Sequence, residues 1–383
     1  MTSFELARIP RIISSAGARG RLAALAGELG GAQAPVLLVA DPGLKAGGMV
    51  DEVAALLRAA GHPLALFDRF ASDPTIAQAD AAAAIARAEK SAVVVALGGG
   101  SAIDLGKAVA AIAGARRGAL AYQLCERPFP KRRLPSICIP TTSGTGAETT
   151  RTAVLTRADK AKIWLWGEAV KTDLVLLDPE LTVSLPAHLT AATGIDALVH
   201  AVEAATNRNA NAANNLFAHE AIRLVAAHLE RAIAAPSDLA ARAGMQRAAA
   251  LGGIAIDNCG TALAHSIGHA LASLRPIHHG HAVGVAMLAT LPWNVEGDDG
   301  AFAACAVAMG GKASAADFVE RFERLIRAAG VQLSLRERFA GITPEAIARQ
   351  MGAPENLPML ESNRRRPGAQ ERVALARQVL ELV

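Results

Sequence analysis

Between residues 34 and 179 the chain alternates two kinds of sequence, and this limits its architecture more than any other feature. Short runs rich in Val, Ile and Leu are separated by Ala- and Leu-rich stretches of helical period: "APVLLVAD" (34–41), "PLALFD" (63–68), "SAVVVALGGG" (91–100), "LPSICIPTT" (134–142) and "TDLVLLDP" (172–179). Strands joined through helices pair in parallel, so the pattern predicts a mainly parallel sheet with helices on both faces. After "DPELTVSLP" the strand signals stop. Helix-period segments such as "AHEAIRLVAAHLERAIAA" (218–235) and "AADFVERFERLIRAAG" (315–330) then continue to the end. The chain reads as α/β plus all-α, residues 1–183 forming the first domain and 184–383 a helical second one. Its 383 residues, 52% hydrophobic and 19% charged, suffice for two domains of ordinary size. The Ala richness is evenly spread and no repeat of fixed period is found.

Charge and cysteine usage exclude several function classes. The 39 basic and 35 acidic residues are interleaved, whereas a nucleic-acid binder gathers its basic residues on one face, so no nucleic-acid partner is expected. Glu5, Arg8 and Arg11 precede any long apolar run, which fits neither a signal peptide nor a membrane span. A cytoplasmic protein without a membrane partner is expected. Cys125, Cys138, Cys259 and Cys305 are far apart, arguing against a disulfide framework and a thiolate zinc site. Any metal must use nitrogen and oxygen ligands.

In "VVVALGGGSAIDLGKAVA" an apolar strand runs into Gly98, Gly99 and Gly100, with Ser101 where a helix N-cap would sit. Glycines let the backbone approach a ligand, and free N–H groups at a helix start favour phosphate. A tight turn that binds nothing is the alternative. "IPTTSGTGAE" (139–148) follows another strand and offers Thr141, Thr142, Ser143 and Thr145 beside two glycines. Hydroxyls and bare backbone at neighbouring strand ends suit a pyrophosphate or nicotinamide cleft. Asp41 ends the strand "VLLVAD"; its carboxylate could hold an adenosine ribose and repel a 2′-phosphate, or simply open the turn "DPG".

Five of the ten histidines fall between His265 and His281. Upstream, "LTAATGIDALVHAVEA" (189–204) reads as a helix with Asp196 and His200 four apart on one face, and His265 and His269 repeat that spacing. "IHHGH" (277–281) reads as a break containing Gly280. A lone histidine is more often a core residue bonded to a carbonyl than a ligand. Two such pairs and a further histidine segment in one helical domain instead suggest a nitrogen and oxygen set around iron(II), zinc or a similar cation.

Together "GGGSAIDLGK" (98–107), "PTTSGTGAE" (140–148), "LPAHLTAATGIDALVHAVEA" (185–204) and "HSIGHALASLRPIHHG" (265–280) resemble the successive signatures of the iron-containing, group III alcohol dehydrogenases, within the dehydroquinate synthase-like superfamily. The resemblance covers most of the chain. It implies a Rossmann-like N-terminal domain, a helical C-terminal domain and an active site in the cleft between them. It implies as ligands Asp196, His200, His265 and His279, the last because it precedes Gly280, with His269 a catalytic neighbour and no role for His278 and His281. On the same basis NAD(H) would be held by Asp41, Asp73, Gly98, Gly99, Gly100, Ser101, Asp104, Lys107, Thr141, Thr142 and Thr145. Fe2+ is the expected metal and Zn2+ the alternative. Identical subunits are expected to assemble as a dimer or larger.

Three features depart from the family. "SDPT" (72–75) places Asp73 where many members have Asn, "ESNRRRP" (361–367) adds a positive charge to an Asn-Pro-Arg stretch, and aromatics are only 3%. They bear on the substrate, expected to be a small alcohol or aldehyde. Hydride transfer to a carbonyl builds charge on oxygen that a metal stabilises, with His269 a candidate proton relay. A dehydroquinate synthase-like lyase, expected to carry more Lys and Arg around the metal, and a maleylacetate reductase-like enzyme are the alternatives within the superfamily. A non-enzymatic metal- or nucleotide-binding regulator would need a partner surface or extra domain that the sequence does not suggest.

Overall fold

A parallel strand covered on both faces must be apolar along its whole length, and the central runs are. The computed structural model describes residues 4–383. Strands β1 (Arg11–Ser14), β2 (Val36–Ala40), β3 (Leu64–Phe67), β4 (Val93–Gly98), β5 (Ser136–Pro140) and β8 (Leu174–Leu177) form one parallel sheet in the order β1-β8-β5-β4-β2-β3. The remaining strands, β6 (Thr152–Thr156) and β7 (Lys162–Trp166), make a separate antiparallel hairpin. Alternate residues of β2 and β4 point to opposite faces. Leu37, Val39 and Val94 meet one apolar cluster and Val36, Leu38, Val93 and Val95 another. Helices α1 (Leu22–Gly30) and α2 (Met49–Ala59) cover the second face, α3 (Ile76–Ala88) and α4 (Gly100–Ile112) the first.

The alternation pattern anticipates β2, β3, β4, β5 and β8 but not β1 or the hairpin. β1 has only four residues, and its edge position leaves half its surface polar. The hairpin's "TAVLT" and "KIWLW" bury alternate residues only, so they lack the continuous apolar run of the central strands.

From β2 the chain moves outward to β3, then crosses back to β4 on the other side of β2. The carboxyl ends of β2 and β4 are thus a topological switch point, where open α/β sheets hold ligands. Asp41 and Gly98 sit there, immediately after Ala40 and Leu97, which are partners in register.

Two compact units divide the chain. One is Arg8–Thr142 with Ala147–Ser184; the other is Leu185–Val383 with Ser143–Gly146 and the segment ending at Ala7. The helical unit is built on α5 (Ala187–Thr206), α6 (Ala212–Ala234), α7 (Leu239–Cys259), α8 (Leu263–Leu274) and α9 (His279–Asn294), with five further helices between Ala301 and Glu381. Gly144 and Gly146 belong to its packing. A Cβ on Gly144 would lie 2.7 Å from Thr193 Cβ, and one on Gly146, at φ +60°, would lie 2.6 Å from the Ala249 carbonyl oxygen. Among the described residues no helix is long and apolar enough to cross a membrane, and all four cysteines are free thiols.

Candidate active site

Helix α5 is buried at every residue from Thr190 to Thr206. A helix enclosed on all sides should be apolar throughout, so Asp196, His200 and Glu203, on one face at spacings of four and three, need compensation. His265 lies in the first turn of α8, and His279 is the first residue of α9. Gly280 is therefore helical, where the sequence reads as a break. A Cβ there would stand 2.1 Å from the Ala192 carbonyl oxygen and 3.1 Å from Asp196 Cβ, so only glycine lets α9 start against α5.

The four side chains converge. Asp196 Oδ1 is 3.7 Å from His200 Nδ1, 3.7 Å from His265 Nε2 and 3.6 Å from His279 Nε2. One ligand atom from each lies within 4.8 Å of all the others. Ligands about 2.1 Å from a common ion stand about 3.4 Å apart in a regular tetrahedron, close to these separations. Asp196 Oδ1, His200 Nδ1 and His265 Nε2 are buried and have no hydrogen-bond partner. Native interiors rarely leave three such atoms facing one point, and a cation among them accounts for all three. The residues fit a divalent metal.

The charges of this set act strongly on one another. Burial pushes the Asp196 carboxyl up, but the imidazoles of His200, His279 and His265 outweigh burial and hold it well below the usual carboxylate range. Burial lowers His200 to about 4 against the pull of Asp196, leaving a neutral ring. Burial also acts to lower His265, but the Glu203 and Asp196 carboxylates prevail and raise it to about 9.

Glu203 escapes the sequence reading. Its carboxylate accepts from His265 Nδ1 at 2.6 Å and from the backbone N–H groups at the start of α8. The available signal was its place seven residues after Asp196 and three after His200, on the same helix face.

The remaining histidines divide. His269 is half-buried one turn after His265, its ring 5.4 Å from that of His279 and edge-on to it. His278 is the exposed N-cap residue of α9, and His281 Nε2 meets the Gln332 carbonyl oxygen. In "ESNRRRP" the arginines tie the fold together. Arg364 pairs with Asp299, Arg365 pairs with Glu296 and stacks 4.1 Å over Trp293, and Arg366 donates to the Glu361 carbonyl.

At the switch point of the α/β unit, Gly98 has φ +146°, and a Cβ on it would meet Asp41 Cβ at 2.8 Å and Ala102 Cβ at 2.7 Å. The N-cap of α4 is Gly99, with Gly100 opening the helix, and not Ser101 as the sequence suggests. Ser101 Oγ instead accepts from the Asp73 N–H at 3.1 Å. Asp73 takes φ +60°, a conformation Asp and Asn tolerate, and its Oδ1 accepts from Lys162 Nζ at 2.7 Å. Asp41 Oδ1 accepts from the Gly43 N–H at 2.9 Å, the turn chemistry weighed for it above. Thr141 N–H donates to the Gly98 carbonyl at 3.0 Å, and Thr142 flanks Gly99.

Lys107 and Asp104 face the hairpin. The Lys107 ammonium is fully buried and donates to the Ala147 and Thr152 carbonyls and Thr150 Oγ1, while Asp104 Oδ2 accepts from the Val154 N–H. Thr145 lies in the Ser143–Gly146 segment of the helical unit.

The sheet unit thus carries a glycine turn at its switch point, and the helical unit carries a converging Asp-His-His-His set. Residues 10–179 match the family model for iron-containing alcohol dehydrogenases, and residues 190–366 match the model for the C-terminal part of that family. Long-chain-alcohol dehydrogenase 1 of Geobacillus thermodenitrificans is 34% identical over 345 residues, 86% of this chain and 87% of that one. The NAD-dependent methanol dehydrogenase of Bacillus methanolicus is 31% identical over 328 residues, 85% of this chain and 84% of that one. The crystal structure of a 1,3-propanediol oxidoreductase superposes with a TM-score of 0.89 at 31% identity, covering 99% of this chain and all of the other. The chain belongs to the iron-containing alcohol dehydrogenase family. It is an oxidoreductase acting on CH–OH groups, as the sequence reading expects.

Proposed function

We propose that Asp196, His200, His265 and His279 hold a divalent cation, Fe2+ before Zn2+, and that the Gly98–Ser101 turn holds NAD(H) for the interconversion of a small alcohol and its aldehyde. The observation that carries the reading is the convergence of three buried, partnerless polar atoms on one point beside His279. When bound, the cation supplies Lewis-acid stabilisation of charge on the substrate oxygen and the nicotinamide supplies the hydride.

The protein's own groups do the rest. Backbone N–H groups at the start of α4 face the pyrophosphate, the carboxylate of Asp41 at the β2 end disfavours a 2′-phosphate, and His269 passes a proton to or from the oxygen. Asp104 and Lys107 act on this turn from behind by fixing α4 to the hairpin, and Asp73 braces it through Ser101. The family match and the dehydrogenase relatives favour this reading over a ring-forming lyase.

The test is NADH oxidation with a panel of short aldehydes on protein stripped of metal and reloaded with Fe2+ or Zn2+. Turnover that returns with metal and is faster with NADH than NADPH is expected. Full activity in the stripped protein, or a clear preference for NADPH, overturns the corresponding part.

A further inference from the structure

The first N–H groups of a helix have no partner within it, and those of α8 find theirs in a side chain some sixty residues earlier. Glu203 is buried, and its two oxygens divide four donors. Oε2 accepts from the Ala262 N–H and from His265 Nδ1, each at 2.6 Å; Oε1 accepts from the Ala264 N–H at 2.6 Å and the His265 N–H at 3.4 Å. The remaining early donor, the Leu263 N–H, reaches Asn363 Oδ1 at 3.3 Å, and Asn363 Nδ2 donates to Asn294 Oδ1 at 2.9 Å. A carboxylate at a helix N-terminus is favoured by the dipole, so α8 and Glu203 stabilise each other.

The consequence falls on one ring. A carboxylate can only accept, so the Nδ1 of His265 must carry a hydrogen, and in the neutral ring Nε2 is then the atom left to offer a lone pair to a cation held with Asp196. We propose that Glu203 is a positioning residue of the metal centre: it fixes the tautomer and the orientation of His265, so that one helix, α5, supplies two ligands and the group that aims a third. The proposal rests on the reading of Asp196, His200, His265 and His279 as the ligand set. A glutamine at 203 would put an NH2 against two donors, either leaving a backbone N–H unmet or driving the His265 proton from Nδ1 to Nε2, where it blocks the cation.

The experiment uses the full chain, stripped with a chelator and titrated with cobalt(II), followed by calorimetry and visible absorption. Glu203→Gln should bind cobalt about 10–100-fold more weakly than the parent, the range found when such outer partners are removed. Parental affinity in Glu203→Gln overturns the proposal. Should that variant not fold, the parent decides. In zinc-loaded protein labelled with 15N-histidine, the His265 ring, assigned by its loss in His265→Ala, should show a proton on Nδ1, and a proton on Nε2 overturns the proposal. A parent that takes up no cobalt, or a His265→Ala variant that binds it as the parent does, removes the ligand reading itself, and neither result involves Glu203.

Discussion

At the scale of single residues, the proposed ligand set and its neighbours separate by what they touch. Replacing Asp196, His200, His265 or His279 by Ala should lower metal content and activity together, because each removes one member of the converging set. His278→Ala should change neither, its residue being the exposed cap of α9. Elemental analysis beside the turnover number checks this; full occupancy in the His279 variant would remove His279 from the set. His269→Ala should keep its metal and lose rate, about a hundredfold or more if the imidazole moves a proton. An unaltered rate makes it a packing histidine. Gly280→Ala tests the local geometry. Its Cβ would enter the Ala192 carbonyl, an overpacking that typically costs about 1–3 kcal/mol, so a lower melting temperature and reduced metal content should appear together.

At the scale of elements, the β4–α4 turn and the buried charges behind it make distinct predictions. Gly99 has an ordinary φ, and a Cβ on it would stand 3.3 Å from Thr142 Cγ2, so Gly99→Ala should fold. If the turn holds the pyrophosphate as proposed, the methyl would crowd its N–H groups and raise the dinucleotide dissociation constant by about tenfold, equal to about 1.4 kcal/mol, with metal content unchanged. Titration calorimetry with NADH reads it, and unchanged affinity would return the turn to a purely structural role.

Behind the turn, burial raises Glu148 from 4.5 to about 7 against the opposing Lys107 charge. An acid raised on folding contributes stability that is complete below its unfolded pKa and lost as pH rises through its folded one. The protein should lose stability between about pH 4.5 and 7 from this group, by on the order of 3 kcal/mol. Glu148→Gln should match the parent near pH 4 and melt above it at pH 8. Parallel melting curves across that range would remove Glu148 as the cause.

At the scale of the whole molecule, a cation bound only by the folded chain adds stability by mass action. At a hundredfold excess over its dissociation constant the gain is about 2.7 kcal/mol, so reloading stripped protein should raise the melting temperature. The same addition to His265→Ala should give little or no shift. Calorimetric scans of the two proteins with and without metal make the comparison.

What was legible in the sequence follows local periods. The short apolar, β-branched runs of β2, β4, β5 and β8, set between helical stretches, read as buried parallel strands, and the four-residue spacing placed Asp196 beside His200 on one helix face because an α-helix repeats every 3.6 residues. The glycine turn announced itself in the same way, by residues adjacent in the chain.

Tertiary structure alone decided the rest. Glu203 meets His265 across 62 residues, Gly280 is required by a carbonyl on another helix, and Ser143–Gly146 packs with the helical unit although strands of the sheet unit lie on both sides of it in sequence. Lys107 looks from its motif like a cofactor contact, yet folding turns its ammonium onto the backbone of residues 147–152. The physical reason is common to all four. Periodicity records which way a side chain faces relative to its own element, whereas the partner it finds there depends on how separate elements close on one another.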